Sequence, residues 1–119
     1  MKSYKELIVW QKSVELVEEI YKLTPFFPKD EIYGISSQMK RAVVSIPSNI
    51  AEGFVRKHNK EFQQFIRTAF GSAAELETQL IIAKKLRLAP SNNFNKIEAL
   101  LNEILKMLNR LISSLSIDH

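Results

Sequence analysis

The sequence predicts an all-α protein, an antiparallel four-helix bundle whose helices run up-down-up-down. Three observations predict this class. Only three Gly and four Pro occur in 119 residues, and they divide the chain into long segments. Within each segment, apolar residues recur at spacings of three and four, which places them along one side of a helix. No stretch alternates apolar and polar residues with enrichment in Val, Ile and Thr, as a half-buried strand would.

Length and composition indicate one domain spanning residues 1–119, because a chain of this size buries its apolar residues around a single core. The chain has no Cys, which excludes disulfides, thiolate metal sites and cysteine nucleophiles. No apolar run approaches the roughly 20 residues of a membrane-spanning helix, and the charged N-terminal segment is unlike a signal peptide. We expect a cytoplasmic protein with no membrane partner.

The first helix is predicted over residues 7–23. Pro25 and Pro28 end it, because proline lacks an amide hydrogen and moves the preceding residue out of the helical region. The second helix is predicted to begin near Asp30 and Glu31, since acidic side chains favour a helix N-terminus. Gly53 is predicted to mark its end. The apolar line of the first helix is Leu7, Trp10, Val14, Val17 and Tyr21.

The third helix is predicted to open with Asn59 as its N-cap and to continue to about Leu88. The fourth helix has the most regular apolar pattern in the chain. Its apolar line is Phe94, Ile97, Leu101, Ile104, Leu108, Leu111 and Leu115. Further apolar residues lie beside the lines of the first and fourth helices. They either complete the arc of an ordinary bundle helix or form a second face for self-association.

The sequence lacks the residue patterns of common catalytic sites. The two histidines are His58, in a predicted turn, and the terminal His119, and neither position suits a catalytic triad. The Glu-x-x-His pairs of di-iron bundles are missing, and the three glycines stand too far apart for a phosphate-binding loop. We therefore expect no enzymatic activity, no cofactor, no metal and no small-molecule substrate.

Polar residues follow one line along the second helix and continue on the third. This set, the polar seam, consists of Gln38, Arg41, Ser45, Asn49, Glu52, Ser72 and Glu75. A buried or half-buried Arg41 requires a carboxylate, for which Glu52 and Glu75 are the candidates. The seam is interpreted as fixing helix register or subunit packing; a contact face for a ligand or nucleic acid and an ordinary solvated face are the alternatives. Small residues beside the seam that allow a helix to approach closely are Gly71, Ala73 and Ala74.

Pro47 lies in the middle of the predicted second helix, within the segment SIPSNIAEG. Proline removes one hydrogen bond of the helix and clashes with the preceding turn, so we predict a kink or a break there. Ser48 or Asn49 could cap the freed backbone. Such a departure from helix preference indicates a constrained packing site or a functional site.

Basic charge is concentrated in the middle of the chain. The whole net charge of +4 lies in residues 31–90, because the segments on either side are each neutral. One cluster precedes the third helix, where cations are unfavourable, and a second lies at its end, where they stabilise the helix. The six residues are Arg56, Lys57, Lys60, Lys84, Lys85 and Arg87. The first cluster predicts phosphate contacts, multiplied by symmetry in an assembly, with solubilising charge as the alternative.

Three stretches resemble a known protein family: LIVWQK at residues 7–12, QMKRAVVSIPSNIAEG at 38–53 and AFGSAAELETQL at 69–80. The chain resembles the four-helix-bundle proteins encoded within intervening sequences of bacterial 23S ribosomal RNA genes. The members of that family are also similar to the accessory variability protein of diversity-generating retroelements. The resemblance implies an antiparallel bundle that assembles as a homopentamer, with the polar seam and Gly71 as its polar core. It also implies a role with RNA or a ribonucleoprotein.

Two functions remain open from the sequence. The first is a non-enzymatic, homo-oligomeric bundle, a pentamer on the resemblance, that binds RNA or a nucleic-acid complex through its basic surface. The alternative is an oligomeric protein-interaction scaffold with no nucleic-acid role, in which the basic charge is incidental. Affinity for RNA that falls steeply with salt would favour the first, because phosphate contacts release counterions.

Overall fold

A computed structural model of the chain describes residues 2–116, which form four α-helices linked by short 3-10 turns. The helices are α1 (Ile8–Leu23), α2 (Ile35–Val55), α3 (Asn59–Lys85) and α4 (Asn95–Ser116). The 3-10 turns are Tyr4–Glu6, Thr24–Phe26, Lys29–Glu31 and Ser91–Phe94. No strand occurs within this part of the chain, so the predicted all-α class is confirmed. The molecule measures 48 × 21 × 20 Å.

The beginning of α2 differs from the prediction. Asp30 and Glu31 lie in the 3-10 turn before the helix, and α2 begins at Ile35. The separation is made at Gly34, whose backbone (φ −103°, ψ −117°) lies outside the helical region. The acidic residues therefore belong to the connection between α1 and α2.

α2 continues without a break through both Pro47 and Gly53 and ends at Val55, so the predicted break at Pro47 and the predicted end at Gly53 are wrong. Pro47 is buried, as are Ile46 and Ile50, so its ring lies in the core although proline removes one hydrogen bond of the helix. A kink at Pro47 stays a prediction. Gly53 has a packing role, because a Cβ there would lie 2.6 Å from the Cβ of Phe65.

The ends of α3 also differ from the predicted ends. The N-cap is His58, which makes no side-chain cap hydrogen bond, and Asn59 is the first helical residue. The helix stops at Lys85 because Arg87 adopts a left-handed conformation with φ of 56°. The Arg87 amide donates to the Lys84 carbonyl (3.1 Å) and the Leu88 amide to the Ala83 carbonyl (3.0 Å). These two bonds form a Schellman motif, which satisfies carbonyls that the helix end leaves free.

The hydrophobic core runs along the middle of the four helices. α2 packs against α1 and α3, and α4 packs against α3 and α1. The apolar line of α4 is confirmed from Phe94 to Leu108, which are buried, whereas Leu111 and Leu115 at its end are half-buried. The largest fully buried side chains of the other helices are Leu16, Ile20, Met39, Val43, Ile46, Ile50, Ile66 and Leu76. Among residues 2–116, no helix is long and apolar enough to cross a membrane.

The predicted apolar line of α1 is wrong by one position around the helix. The buried residues are Val9, Ser13, Leu16, Ile20 and Leu23, whereas the predicted Tyr21 is exposed. The buried line was not recognised in the sequence because the polar residue Ser13 occupies one of its fully buried positions. Its hydroxyl donates to the Val9 carbonyl at 2.6 Å, which removes the cost of burying it.

Candidate functional site

The centre of the polar seam is a hydrogen-bonded cluster between α2 and α3. The hydroxyl oxygens of Ser45 and Ser72 lie 2.8 Å apart. The Asn49 side-chain amide donates to the Ser45 hydroxyl (2.9 Å) and to the Ser45 carbonyl (2.8 Å). All three residues are half-buried. The cluster thus joins the middle of α2 to the middle of α3, and each such bond contributes about 1 kcal/mol.

The outer residues of the seam do not join this cluster. Glu52 Oε2 lies 3.4 Å from Arg56 Nη2, and Glu75 Oε2 accepts from Gln79 Nε2 at 3.4 Å. The expected pairing of Arg41 with either acid therefore does not form, and no carboxylate of residues 2–116 makes an ion pair with Arg41. Because Arg41 is exposed, water solvates its charge and no acid is required. The exposed residues of the seam are Gln38, Arg41, Glu52 and Glu75.

The three small residues of α3 lie in different environments. Ala73 is fully buried in the core, Ala74 is half-buried, and Gly71 is exposed. A Cβ at Gly71 would meet no atom within 4 Å, so Gly71 does not bring two helices of one protomer together. Gly53 does so. Sequence reasoning missed it, although Ile46, Ile50 and Gly53 follow the spacings of four and three of a buried line.

Gln79 on α3 has an unsatisfied polar atom. The side chain is only 6% exposed, and its Oε1 has no hydrogen-bond partner among residues 2–116. We expect Gln79→Met to raise the free energy of unfolding by up to about 1 kcal/mol, because it removes a desolvated carbonyl while keeping the volume. Urea denaturation checks this. Gln64→Met at an exposed position of the same helix is the control, and an equal effect of both substitutions would contradict the prediction.

The first basic cluster divides into paired and unpaired cations. Arg56 Nη2 lies 3.4 Å from Glu52 Oε2, Nη1 lies 3.7 Å from Glu61 Oε2, and the guanidinium lies 5.0 Å from the centre of the Phe65 ring. Arg56 is thereby fixed between α2 and α3, with its charge compensated. The other two, Lys57 and Lys60, are exposed and make no ion pair with any residue from 2 to 116.

The second basic cluster shows the same division. Lys84 Nζ lies 3.1 Å from Glu98 Oε1, which connects the end of α3 to the start of α4. Lys85 and Arg87 are exposed, and neither has an ion pair within the described part of the chain. The 27 residues of α3 separate the two clusters, which places them about 40 Å apart at opposite ends of the helix.

A groove of about 690 Å³ lies on the outer side of α1 and α2, and sequence reasoning missed it. Tyr33 in the connection between these helices is 96% exposed. Lys40 Nζ lies 4.9 Å from the centre of the Tyr21 ring. The groove therefore combines apolar, aromatic and cationic side chains. Its lining includes Tyr21, Ile32, Tyr33, Lys40, Arg41 and Val44.

Residues 2–116 contain no group of three or more His, Cys, Asp or Glu side chains placed to hold a metal ion. His58 is exposed at the turn between α2 and α3, whereas His119 lies outside the described residues. The expectations of no metal and no enzymatic activity stay predictions.

Comparisons with known proteins cover most of the chain. The family model described as 23S rRNA-intervening sequence protein matches residues 5–110. No curated protein matches the sequence. A similar solved structure is a protein of unknown function from the S23 ribosomal protein family of Bacteroides thetaiotaomicron. It is 25% identical, with a TM-score of 0.81, and the match covers 88% of this chain and 98% of that chain.

Proposed function

Because the chain belongs to the 23S rRNA-intervening sequence protein family, we propose that it is a non-enzymatic, homopentameric protein that binds RNA or a nucleic-acid complex in the cytoplasm. The nucleic-acid part is carried by one observation: of the six residues in the two basic clusters, four are exposed cations that make no ion pair within residues 2–116. They are Lys57, Lys60, Lys85 and Arg87. Unpaired cations remain free to contact phosphates, whereas Arg56 and Lys84 are already compensated by carboxylates.

The proposal includes an antiparallel up-down-up-down course of the helices. Two ion pairs between α1 and α4 support it: Lys12 with Glu103 (3.1 Å) and Glu19 with Lys96 (3.3 Å). Residue numbers increase along α1 as those of its partners in α4 decrease. α3 and α4 are antiparallel in the same way. Lys84 near the end of α3 pairs with Glu98 near the start of α4, and the Gln63 side chain near the start of α3 donates a hydrogen bond to the Ile112 carbonyl near the end of α4.

The turn between α2 and α3 is the stronger phosphate-binding candidate of the two clusters. Lys57 and Lys60 flank the N-terminus of α3, where the helix dipole adds positive potential. The N-cap residue there makes no side-chain cap hydrogen bond. One protomer with a net charge of +4 would bind weakly, but five copies of the turn on one rim would act together.

We expect the double substitution Lys57→Ala with Lys60→Ala to weaken RNA binding at low salt and to flatten its salt dependence. Each lost phosphate contact lowers the slope of log K against log salt by about 0.7–0.9. Fluorescence anisotropy with a labelled structured RNA at two salt concentrations measures both effects. The matched control is Lys12→Ala with Lys84→Ala, which removes the same charge from two cations that are paired with acids.

Two results would overturn the RNA proposal at this turn. One is a wild-type protein without affinity for structured RNA even at low salt. The other is equal binding by wild type and the Lys57 and Lys60 double variant. If the control variant loses as much affinity as the double variant, overall charge rather than this turn governs binding.

The exposed groove on α1 and α2 favours the second candidate function, an oligomeric protein-interaction scaffold without a nucleic-acid role. A side chain as exposed as Tyr33, beside other apolar side chains, is typical of a protein contact surface. An assembled protein that does not bind RNA would support the scaffold.

A further inference from the structure

The outer side of α1 and α2 carries apolar side chains that the protomer leaves uncovered. Ile32, Tyr33 and Val44 are 52%, 96% and 41% exposed, and they lie in one groove with Tyr21. The same groove contains Arg41, which has no ion pair within residues 2–116. We call this surface the α1–α2 groove. Its chemistry suits a partner surface with an aliphatic side chain and an unpaired carboxylate.

Such a surface exists on the same chain, on the outer side of α3 and α4. A smaller groove of about 190 Å³ there, the α3–α4 groove, is lined by Glu77, Leu80, Ile81, Glu98 and Leu101. Ile81 is 49% exposed. Glu77 is exposed and has no ion pair among the described residues, whereas Glu98 is compensated by Lys84. The available charge of this groove is therefore negative.

The two grooves lie at the same end of the bundle and on different sides of it. Lys96 at the start of α4 contacts Glu19 near the end of α1. Lys40 contacts the Tyr21 ring, which brings the first half of α2 to the same level. One groove belongs to α1 and α2 and the other to α3 and α4. A neighbouring copy placed beside the first, turned about the bundle axis and not shifted along it, would bring the two grooves face to face.

We propose that the α1–α2 groove of one copy binds the α3–α4 groove of the next copy, with Arg41 facing Glu77 and Tyr33 packing against Ile81. The proposal rests on the proposed self-assembly and names its contact surfaces. Two α1–α2 grooves would not bind each other, because Lys40 and Arg41 of one copy would be repelled by Lys40 and Arg41 of the other. The contact is therefore heterologous, and a heterologous contact that closes on itself forms a ring.

Charge-reversal substitutions test this contact. Light scattering on the full chain measures the mass of the particle that each variant forms. Arg41→Glu and Glu77→Lys are each expected to lower the particle mass toward the 13.7 kDa protomer, at concentrations where wild type is assembled. The double variant with both substitutions is expected to recover the wild-type mass, since the charges again oppose each other. Arg67→Glu and Glu15→Lys are matched controls, because both residues are exposed, unpaired within residues 2–116 and outside both grooves. Far-UV circular dichroism verifies that every variant folds.

Cross-linking tests whether the contact is heterologous. The chain has no Cys, so Tyr33→Cys and Ile81→Cys each introduce the only thiol of a variant. A short bis-maleimide is expected to produce cross-linked dimers in a mixture of the two variants. Each variant alone is expected to remain uncross-linked, because position 33 faces position 81 of the neighbour and not another position 33.

The outcomes separate this contact from the proposed function. An assembled wild type whose mass is unchanged by Arg41→Glu, or a double variant that does not recover the wild-type mass, overturns the contact alone. A wild type that remains at 13.7 kDa overturns both the contact and the proposed assembly. A charge-sensitive assembly without RNA affinity overturns the RNA function and leaves the contact in place.

Discussion

Gly53→Ala is expected to lower the free energy of unfolding by about 1–3 kcal/mol, the cost of overpacking a well-packed core, even though alanine is the better helix former. The new Cβ would lie 2.6 Å from Phe65 Cβ and 3.0 Å from Phe62 Cδ1. Both atoms belong to α3, and Phe62 also packs edge-on against the Phe54 ring, with the ring centres 5.9 Å apart. The end of α2 would have to move away from the start of α3 to make room.

Gly71→Ala is the matched control, because Gly71 also lies inside a helix but a Cβ there would meet no atom within 4 Å. It is expected to raise the free energy of unfolding by about 0.5–1 kcal/mol through helix propensity alone. Urea denaturation followed by far-UV circular dichroism measures both variants. Stabilisation of the protein by both substitutions would contradict the close contact between α2 and α3.

This contact also connects the packing to the proposed RNA surface. Gly53 precedes the turn that carries Lys57, and Phe65 lies under the Arg56 guanidinium. Displacing the end of α2 would therefore displace the unpaired lysine as well as the paired arginine. We expect Gly53→Ala to weaken RNA binding even where the variant is fully folded.

Most of the fold could be predicted from the sequence, and the errors have local causes. Four helices follow from long apolar patterns interrupted by few glycines and prolines. The buried line of α4 was correct at Phe94, Ile97 and Leu108, because no polar residue interrupts it. The line of α1 was wrong because Ser13 satisfies its hydroxyl within its own helix. The sequence pattern at Gly53 indicated a helix end. The structure shows instead that glycine is needed inside the helix, because a larger side chain would collide with α3.

Less of the candidate site could be predicted, because pairing between helices depends on geometry that spacing does not contain. The sequence separated the six basic residues into two clusters, but it did not distinguish the residues within one cluster from each other. Arg56 and Lys84 have carboxylates within 4 Å, whereas Lys57 and Lys60 do not. Arg41 was expected to need an acid, but exposure removes that need within the protomer. The α1–α2 groove could not be predicted from helical spacing, because its residues come from the end of α1, the connection and the first half of α2.

Phe94→Ala is expected to have the largest effect on stability, a loss of about 3–5 kcal/mol. Phe94 is fully buried, yet it belongs to the 3-10 turn before α4 and not to a helix. Its ring therefore fixes the connection between α3 and α4 to the core. Domains of this kind are stable by about 5–15 kcal/mol, so this loss would remove a large share of the total.

The matched control for Phe94→Ala is Phe26→Ala, which removes the same ring from a 3-10 turn at a position that is 56% exposed. Because water already covers much of the Phe26 ring, the expected loss is less than about 1 kcal/mol. Thermal and urea denaturation of both variants measure the difference. If Phe94→Ala cost no more than Phe26→Ala, the start of α4 would not be anchored in the core. The α3–α4 groove, which depends on the position of Glu98 and Leu101 in the first two turns of α4, would then lack a fixed shape.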